Sequence, residues 1–305
     1  MLRLGTRASA LARWQADWVA ARLAESGVEV QLVPITTQGD VQQHGPIEAI
    51  GGQGVFTKEI QRALLENQID LAVHSLKDLP TEEVPGLCLS AVPKRGPIGD
   101  VLVSRDDHAF EDLPEGAVLG TGSARRQAQL GRARPDLVMQ DIRGNVDTRL
   151  RKLDDGECDA LVLAEAGLRR LGLDDRITQV LPRSMILPAV GQGALGLETR
   201  EDDTETRETL APLNHADTHA AVLAERAMLA ALRGGCLAPV GAWGRIESGQ
   251  LRLDGVVLSA DGKQKVSASD AATPENSAAL GQRVGEHLLE QGAGELINAS
   301  RRGAK

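Results

Sequence analysis

Two pairs of segments in this chain repeat one another at a distance, and that repetition constrains the fold more than any other feature. "LGTRAS" (Leu4 to Ser9) echoes "LGTGSARR" (Leu119 to Arg126), and "LLENQIDLAV" (Leu64 to Val73) echoes "LDDGECDALV" (Leu153 to Val162). The first pair reads as a strand end, a small-residue turn and a helix start. The second reads as a helix closing on a polar turn, followed by an aspartate that opens an apolar strand. Between these landmarks strand-like and helix-like segments alternate, a rhythm that implies largely parallel sheets covered by helices. The expected fold class is therefore α/β, with two similar doubly wound lobes of the kind found in type II periplasmic binding proteins.

Punctuation sets the expected boundaries. "VPKRGPIGD" (Val92 to Asp100) reads as a crossing between lobes and "PAVGQGALG" (Pro188 to Gly196) as the return. Residues 1–95 with 194–215 are expected to form the first lobe, and 98–190 the second. The acidic run from Glu198 reads as an exposed helix or linker. From residue 216 the pattern changes to one long helix, three antiparallel strands and a closing helix from about Pro274. Residues 216–305 are thus expected to be a C-terminal α+β domain with a small antiparallel sheet, and 305 residues suit such a division.

Charge narrows the partners. Forty-three acidic side chains against 34 basic ones give a net charge of −9, which argues against nucleic acid and anionic membrane. No apolar run reaches the ~20 residues that cross a bilayer, and the N-terminus lacks a secretory pattern, so a cytoplasmic location is expected. Between Thr121 and Lys152 the balance reverses, with eight basic against three acidic residues. That stretch is either a solvated helix face or a site for a modest polyanion. Cys88, Cys158 and Cys236 are too few and scattered for a disulfide framework, and no C-x-x-C pair suggests a metal.

Several segments can carry chemistry. Thr121 and Ser123 stand where a strand turns into a helix, a position that favours an anion, and Arg125 and Arg126 add planar forks suited to carboxylates. Plain capping by Ser123 with outward arginines is the competing reading. Arg143 in "IRGNVDTRL" stands just beyond a strand with Arg149 one or two helical turns on, and with Arg7 and Ser9 in "LGTRAS" they would gather at carboxyl ends of strands, where α/β sheets bind ligands. "HSLKDLPTE" puts Lys77 and Asp78 after a buried strand, as a functional pair or a simple loop ion pair; His74 reads as packed rather than as a base. Gly51, Gly52 and Gly54 suggest a lid, and Gly191 and Gly193 either a close backbone approach or a hinge.

Six segments in order, "HSLKDLPT", "GTGSARRQ", "DIRGNVDTRL", "AEAGLRRLG", "LPAVGQGALGLE" and "LRGGCLAPVG", closely resemble the hydroxymethylbilane synthase (porphobilinogen deaminase) family. The resemblance implies a transferase of tetrapyrrole and heme biosynthesis. Such an enzyme joins four porphobilinogen molecules, releasing ammonia, on a covalent dipyrromethane cofactor, and then frees linear hydroxymethylbilane by hydrolysis. It implies that Cys236 holds the cofactor through a thioether, and that Lys77, Thr121 and Ser123 contact it. Arg7, Arg125, Arg126, Arg143 and Arg149 match carboxylate-binding arginines. Asp78 matches an essential carboxylate that binds pyrrole N–H groups and stabilises the cation left by ammonia loss. Ser9, Gln192 and Gly193 match the substrate end. No metal is implied, and a monomer is expected. The sequence departs from the family pattern at "GPIGD", which lacks an arginine and an acid of the usual crossing, and at Asp147, where glycine is common. Two rivals are a non-catalytic two-lobed module binding carboxylate ligands, and a cysteine hydrolase pairing Cys236 with His215 or His219.

Overall fold

Short apolar runs closed by glycine or polar residues form the strands, and a computed structural model describes residues 1–37, 57–233 and 238–303. The first part of the chain carries β1 (Leu2–Thr6), α1 (Ala10–Glu25), β2 (Val30–Pro34), α2 (Lys58–Leu65), β3 (Leu71–Ser75) and β4 (Leu87–Ala91). Next come β5 (Asp100–Ser104), β6 (Val118–Gly120), α3 (Ala124–Ala133), β7 (Val138–Gln140), α4 (Val146–Asp154), β8 (Ala160–Ala164), α5 (Glu165–Arg170) and β9 (Gln179–Val180). The remainder is β10 (Leu195–Arg200), α6 (Thr204–Leu210), α7 (Ala216–Ala231), β11 (Val240–Glu247), β12 (Gln250–Leu258), β13 (Lys265–Ala272), α8 (Ser277–Glu290) and α9 (Ala293–Gly303).

Two compact units result, one of Met1–Gly96 with Gly193–His219, the other of Pro97–Gln192 with Ala220–Lys305. The first holds a five-stranded sheet in the order β2-β1-β3-β10-β4; the second holds one in the order β7-β6-β8-β5-β9. Strand directions match position by position. β1 runs parallel to β2 and β3, as β6 does to β7 and β8, while β10 and β5 are antiparallel to both their neighbours. The sequence echoes fall on equivalent places in the two sheets, the β1–α1 and β6–α3 turns and the α2–β3 and α4–β8 connections. Each lobe is therefore the expected doubly wound α/β type.

The aspartate shared by the second echo has a physical task. Asp70 accepts the backbone N–H of Arg3 at 2.9 Å, and Asp159 accepts that of Val118 at 2.8 Å. In each sheet the carboxylate at the start of the central strand binds an N–H of the strand beside it, and an arginine, Arg3 or Arg105, pairs with the same carboxylate. The residues that follow are buried on both faces: Leu71, Ala72 and Val73 in one sheet, Ala160 to Leu163 in the other. One expectation is corrected. Glu198 opens no exposed linker; it lies 6% exposed in β10, and the solvent-facing helix α6 begins only at Thr204.

The second unit also holds the antiparallel meander β11-β12-β13. Leu251, Leu253 and Val257 of β12 pack with Met228 of α7, Leu280, Val284 and Leu288 of α8, and Ile297 of α9. Among the described residues no helix is long and apolar enough to cross a membrane. Close approach of α8 to α7 depends on glycine. A Cβ placed on Gly281 would press into the carbonyl oxygen of Ala224 and lie 2.7 Å from Ala227 Cβ. Alanine in a helix normally stabilises by ~1 kcal/mol over glycine, but overpacking of this kind costs about 1–3 kcal/mol. Gly281→Ala should therefore lower the denaturant midpoint; a raised midpoint would show that α7 and α8 are not in close contact.

Candidate active site

In the first unit, β1 ends on the buried Thr6 and leads through the half-buried Arg7 to Ser9. Ser9 caps α1, its hydroxyl accepting the Ala12 N–H at 3.4 Å. At the end of β3 the chain tightens into one 3₁₀ turn, Leu76–Asp78, which leaves Lys77 half-buried and Asp78 exposed. Arg7, Ser9, Gln15, His74, Ser75 and Asp78 line one hollow of about 70 Å³. Gln15 reaches it from α1 and donates to Ser75 Oγ at 2.7 Å. His74 is packed, as its place on a buried strand predicts: its Nε2 lies 2.9 Å from Glu198, which also accepts from Gln61 at 2.9 Å.

In the second unit the corresponding turn is Thr121-Gly122-Ser123. Glycine is needed here because the β7–α4 connection crosses against it. A Cβ on Gly120 would sit 2.6 Å from Ile142 Cδ1, and one on Gly122 would sit 2.8 Å from Asp141 Oδ1. Thr121 is buried, and its hydroxyl accepts the Ser123 N–H at 3.3 Å. Ser123 stands at the N-cap of α3 without a side-chain capping bond, so the simple capping reading fails. Asn145 stands likewise at the start of α4. Arg143 reaches Asp141 at 2.9 Å, and Arg149 donates to the Gly144 carbonyl at 2.8 Å.

Arg125 and Arg126 point neither outward nor into an open cradle. Both are buried on Asp100, the first residue of β5, whose side chain is fully enclosed. Burial alone would push the Asp100 carboxyl up, but the two guanidinium groups more than reverse this and hold it well below the usual carboxylate range. Burial in turn lowers the Arg126 pKa from its ordinary value. Gln192, expected at the substrate end, aims its amide nitrogen at the carbonyls of Ile98 (2.8 Å) and Gly99 (3.1 Å) and at Asp100 Oδ1 (3.1 Å). Gly191 and Gly193 both adopt positive φ, +71° and +82°, and the Gly191 N–H is bound by the buried Glu225 at 2.7 Å.

The structure thus gathers Arg7, Ser9 and Asp78 in the first unit, and Thr121, Ser123, Arg125, Arg126, Arg143 and Arg149 around two turns of the second. Cys236 and the glycines at 51, 52 and 54 lie outside the described residues. The other cysteines are accounted for. Cys158 is buried, which pushes its thiol up to about 11; Cys88 is half-buried beside the hydroxyls of Ser90 and Thr199. His215 is bonded to Thr218 and His219 to Asn214. Sequence reasoning passed over Asp100, Gln15 and Ser75. Only Asp100 offered a signal, as a charge opening the apolar run "DVLVS".

Comparison with known proteins gives the chain's relatives. Residues 2–208 match the family "Porphobilinogen deaminase, dipyromethane cofactor binding domain", and residues 219–290 match "Porphobilinogen deaminase, C-terminal domain". A porphobilinogen deaminase of Desulforudis audaxviator is 52% identical over 303 residues, 99% of this chain and 98% of that protein. One from Pelotomaculum thermopropionicum is 50% identical over 302 residues, 98% of this chain and 97% of the relative. A solved periplasmic substrate-binding protein of an ABC transporter from Coxiella burnetii superposes with a TM-score of 0.44 at 15% identity, over 70% of this chain and 92% of that one.

The Cys158 environment gives a direct test of which thiol is reactive. A thiol raised to about 11 from an ordinary value of 9.0 holds about a hundredfold less thiolate at pH 8. In the folded chain Cys158 should therefore resist alkylation at pH 8 and become reactive only as the pH approaches 11. Peptide mapping after brief iodoacetamide treatment would show this, and rapid labelling of Cys158 at pH 8 would contradict it.

Proposed function

The chain belongs to the porphobilinogen deaminase family, and from that membership we propose that it acts as a hydroxymethylbilane synthase. It condenses four porphobilinogen molecules with loss of ammonia and releases the linear tetrapyrrole by hydrolysis. Dipyrromethane, held as a thioether on Cys236, supplies a pyrrole with a free α-carbon as the point of extension. The donor set of the second unit suits a group bearing acetate and propionate side chains. Two helix starts lack side-chain caps, and the buried Nε of Arg125 has no acceptor among the described residues.

Residue roles follow from chemistry. Lys77, Thr121, Ser123, Arg125, Arg126 and Arg143 hold the cofactor; Arg7, Arg143 and Arg149 bind substrate carboxylates; Ser9, Gln192 and Gly193 complete the substrate end. The observation that carries the reading is the hollow that Asp78 shares with Arg7 and Ser9. There a guanidinium and a hydroxyl hold the carboxylate groups of porphobilinogen, while the Asp78 carboxylate accepts the pyrrole N–H. The same negative charge stabilises the cation that develops on the substrate as its carbon–nitrogen bond breaks and ammonia leaves.

The same reading divides the chain into three domains, residues 1–95 with 194–215, 98–190 and 216–305, the last carrying Cys236. It also places the protein in the cytoplasm as a monomer. The large exposed apolar side chains among the described residues, such as Leu65, Val138 and Leu289, are spread over separate elements. Sedimentation giving the mass of one 32.3 kDa chain is the expected result, and a dimer would overturn the monomer assignment.

Two measurements test the activity. Intact mass of the purified chain should exceed the sequence mass by two covalently bound pyrrole units, and Cys236→Ala should abolish both the excess and turnover; a persisting adduct would exclude Cys236 as the tether. Asp78→Asn should leave the denaturation midpoint unchanged while lowering kcat by about 10²-fold or more, the scale of a lost charge-stabilising group. Full activity in that variant would remove Asp78 from the chemistry.

A further inference from the structure

Neighbouring residues on a helix project about 100° apart and do not face one another. Arg125 and Arg126, at the start of α3, nevertheless converge on a single carboxylate. Asp100 Oδ2 accepts from Arg125 Nη1 at 2.7 Å, and Oδ1 from Arg125 Nη2 at 3.1 Å and Arg126 Nε at 2.8 Å. Gln192 adds a third donor group to Oδ1 at 3.1 Å, so three side chains hold the carboxylate in place. The guanidinium groups are completed by backbone carbonyls, Arg125 by Leu187 at 2.6 Å and Arg126 by Val162 at 3.0 Å.

Two like charges this close repel, and both are taken out of water; the shared counter-ion is what makes their convergence stable. One carboxylate against two guanidinium groups leaves the cluster with an excess of one positive charge. It also leaves the Arg125 Nε–H, buried, without an acceptor among the described residues. The cluster is therefore ordered by the protein yet still one acceptor and one negative charge short.

We propose that Asp100 is a positioning residue of the synthase, which holds Arg125 and Arg126 together as a fixed pair and sets the charge of that pair to accept one ligand carboxylate. The proposal rests on the reading of these arginines as cofactor-binding residues. Its consequence is that Asp100, which touches neither cofactor nor substrate, controls how completely the chain acquires its covalent dipyrromethane.

The test compares full-length wild type, Asp100→Asn and Asp100→Glu by denaturation midpoint and by the fraction of purified chains carrying the adduct in intact mass spectra. Asp100→Asn should lower the adduct-bearing fraction about tenfold. Asp100→Glu, which keeps the charge, should recover part of it, and formate should raise loading in Asp100→Gly by occupying the vacated site. Among loaded molecules the variants should raise KM for porphobilinogen more than they lower kcat. If wild type bears no adduct, the underlying reading of function fails. If wild type is loaded and a folded Asp100→Asn chain loads just as fully, the positioning role is excluded. If none of the variants folds, Asp100 serves folding alone and the proposal is likewise overturned.

Discussion

One fully enclosed carboxylate between two guanidinium groups organises the centre of the second unit. Removing three charges from water is costly, and the cost is offset because both Asp100 oxygens accept hydrogen bonds from the arginines and both arginines find backbone carbonyls as well. The contacts span much of the sequence. They join the first residue of β5, the first turn of α3, the middle of β8 through Val162, the 187 segment, and Gln192 at the chain's exit from the unit. A hydrophobic cluster of similar volume would hold these elements as firmly but would leave no excess positive charge beside the Thr121–Ser123 turn. Stability and ligand chemistry thus draw on the same ion cluster.

The two five-stranded sheets show how one topology accommodates different tasks. Both use an aspartate at the foot of the central strand to bind the neighbouring strand's N–H, and both present turns at the opposite strand ends. The side chains then diverge. In the first unit the turn carries Arg7 and Ser9 toward Asp78, giving a small hollow with charges of both signs. In the second the turn carries cationic and hydroxyl donors; Arg125 and Arg126 are balanced by the buried Asp100, while Arg143 pairs with the more exposed Asp141. A reacting centre requires an accessible carboxylate such as Asp78, whereas a carboxylate-binding surface requires unmatched donors.

Much of this was legible from the chain alone. Alternating apolar segments and the two echoes located both sheets, because a strand buried on both faces must be continuously apolar and a strand-to-helix turn with little room must use glycine. The register of small residues in "LGTGS" and the excess of arginine after it marked the region where Arg125 and Arg126 meet Asp100. Where the reading went astray, the cause was the same each time. Glu198 looked like the start of a charged linker, yet it is buried in β10, because His74 and Gln61, 124 and 137 residues earlier, supply its hydrogen bonds. Arg125 and Arg126 allowed an outward-facing reading, and Asp100 had no visible role, because an ion pair across 25 residues leaves no periodic trace.

By itself, then, the sequence determined the α/β lobes, the antiparallel C-terminal sheet, the family, and the identity of the groups available for chemistry, since these follow from local periodicity and from motifs read along the chain. The tertiary structure alone decided which charges are spent on the protein and which remain for a ligand. That distinction depends on burial and on partners brought together from distant positions, and the energy of a charge is set by its surroundings in space rather than by its neighbours in sequence.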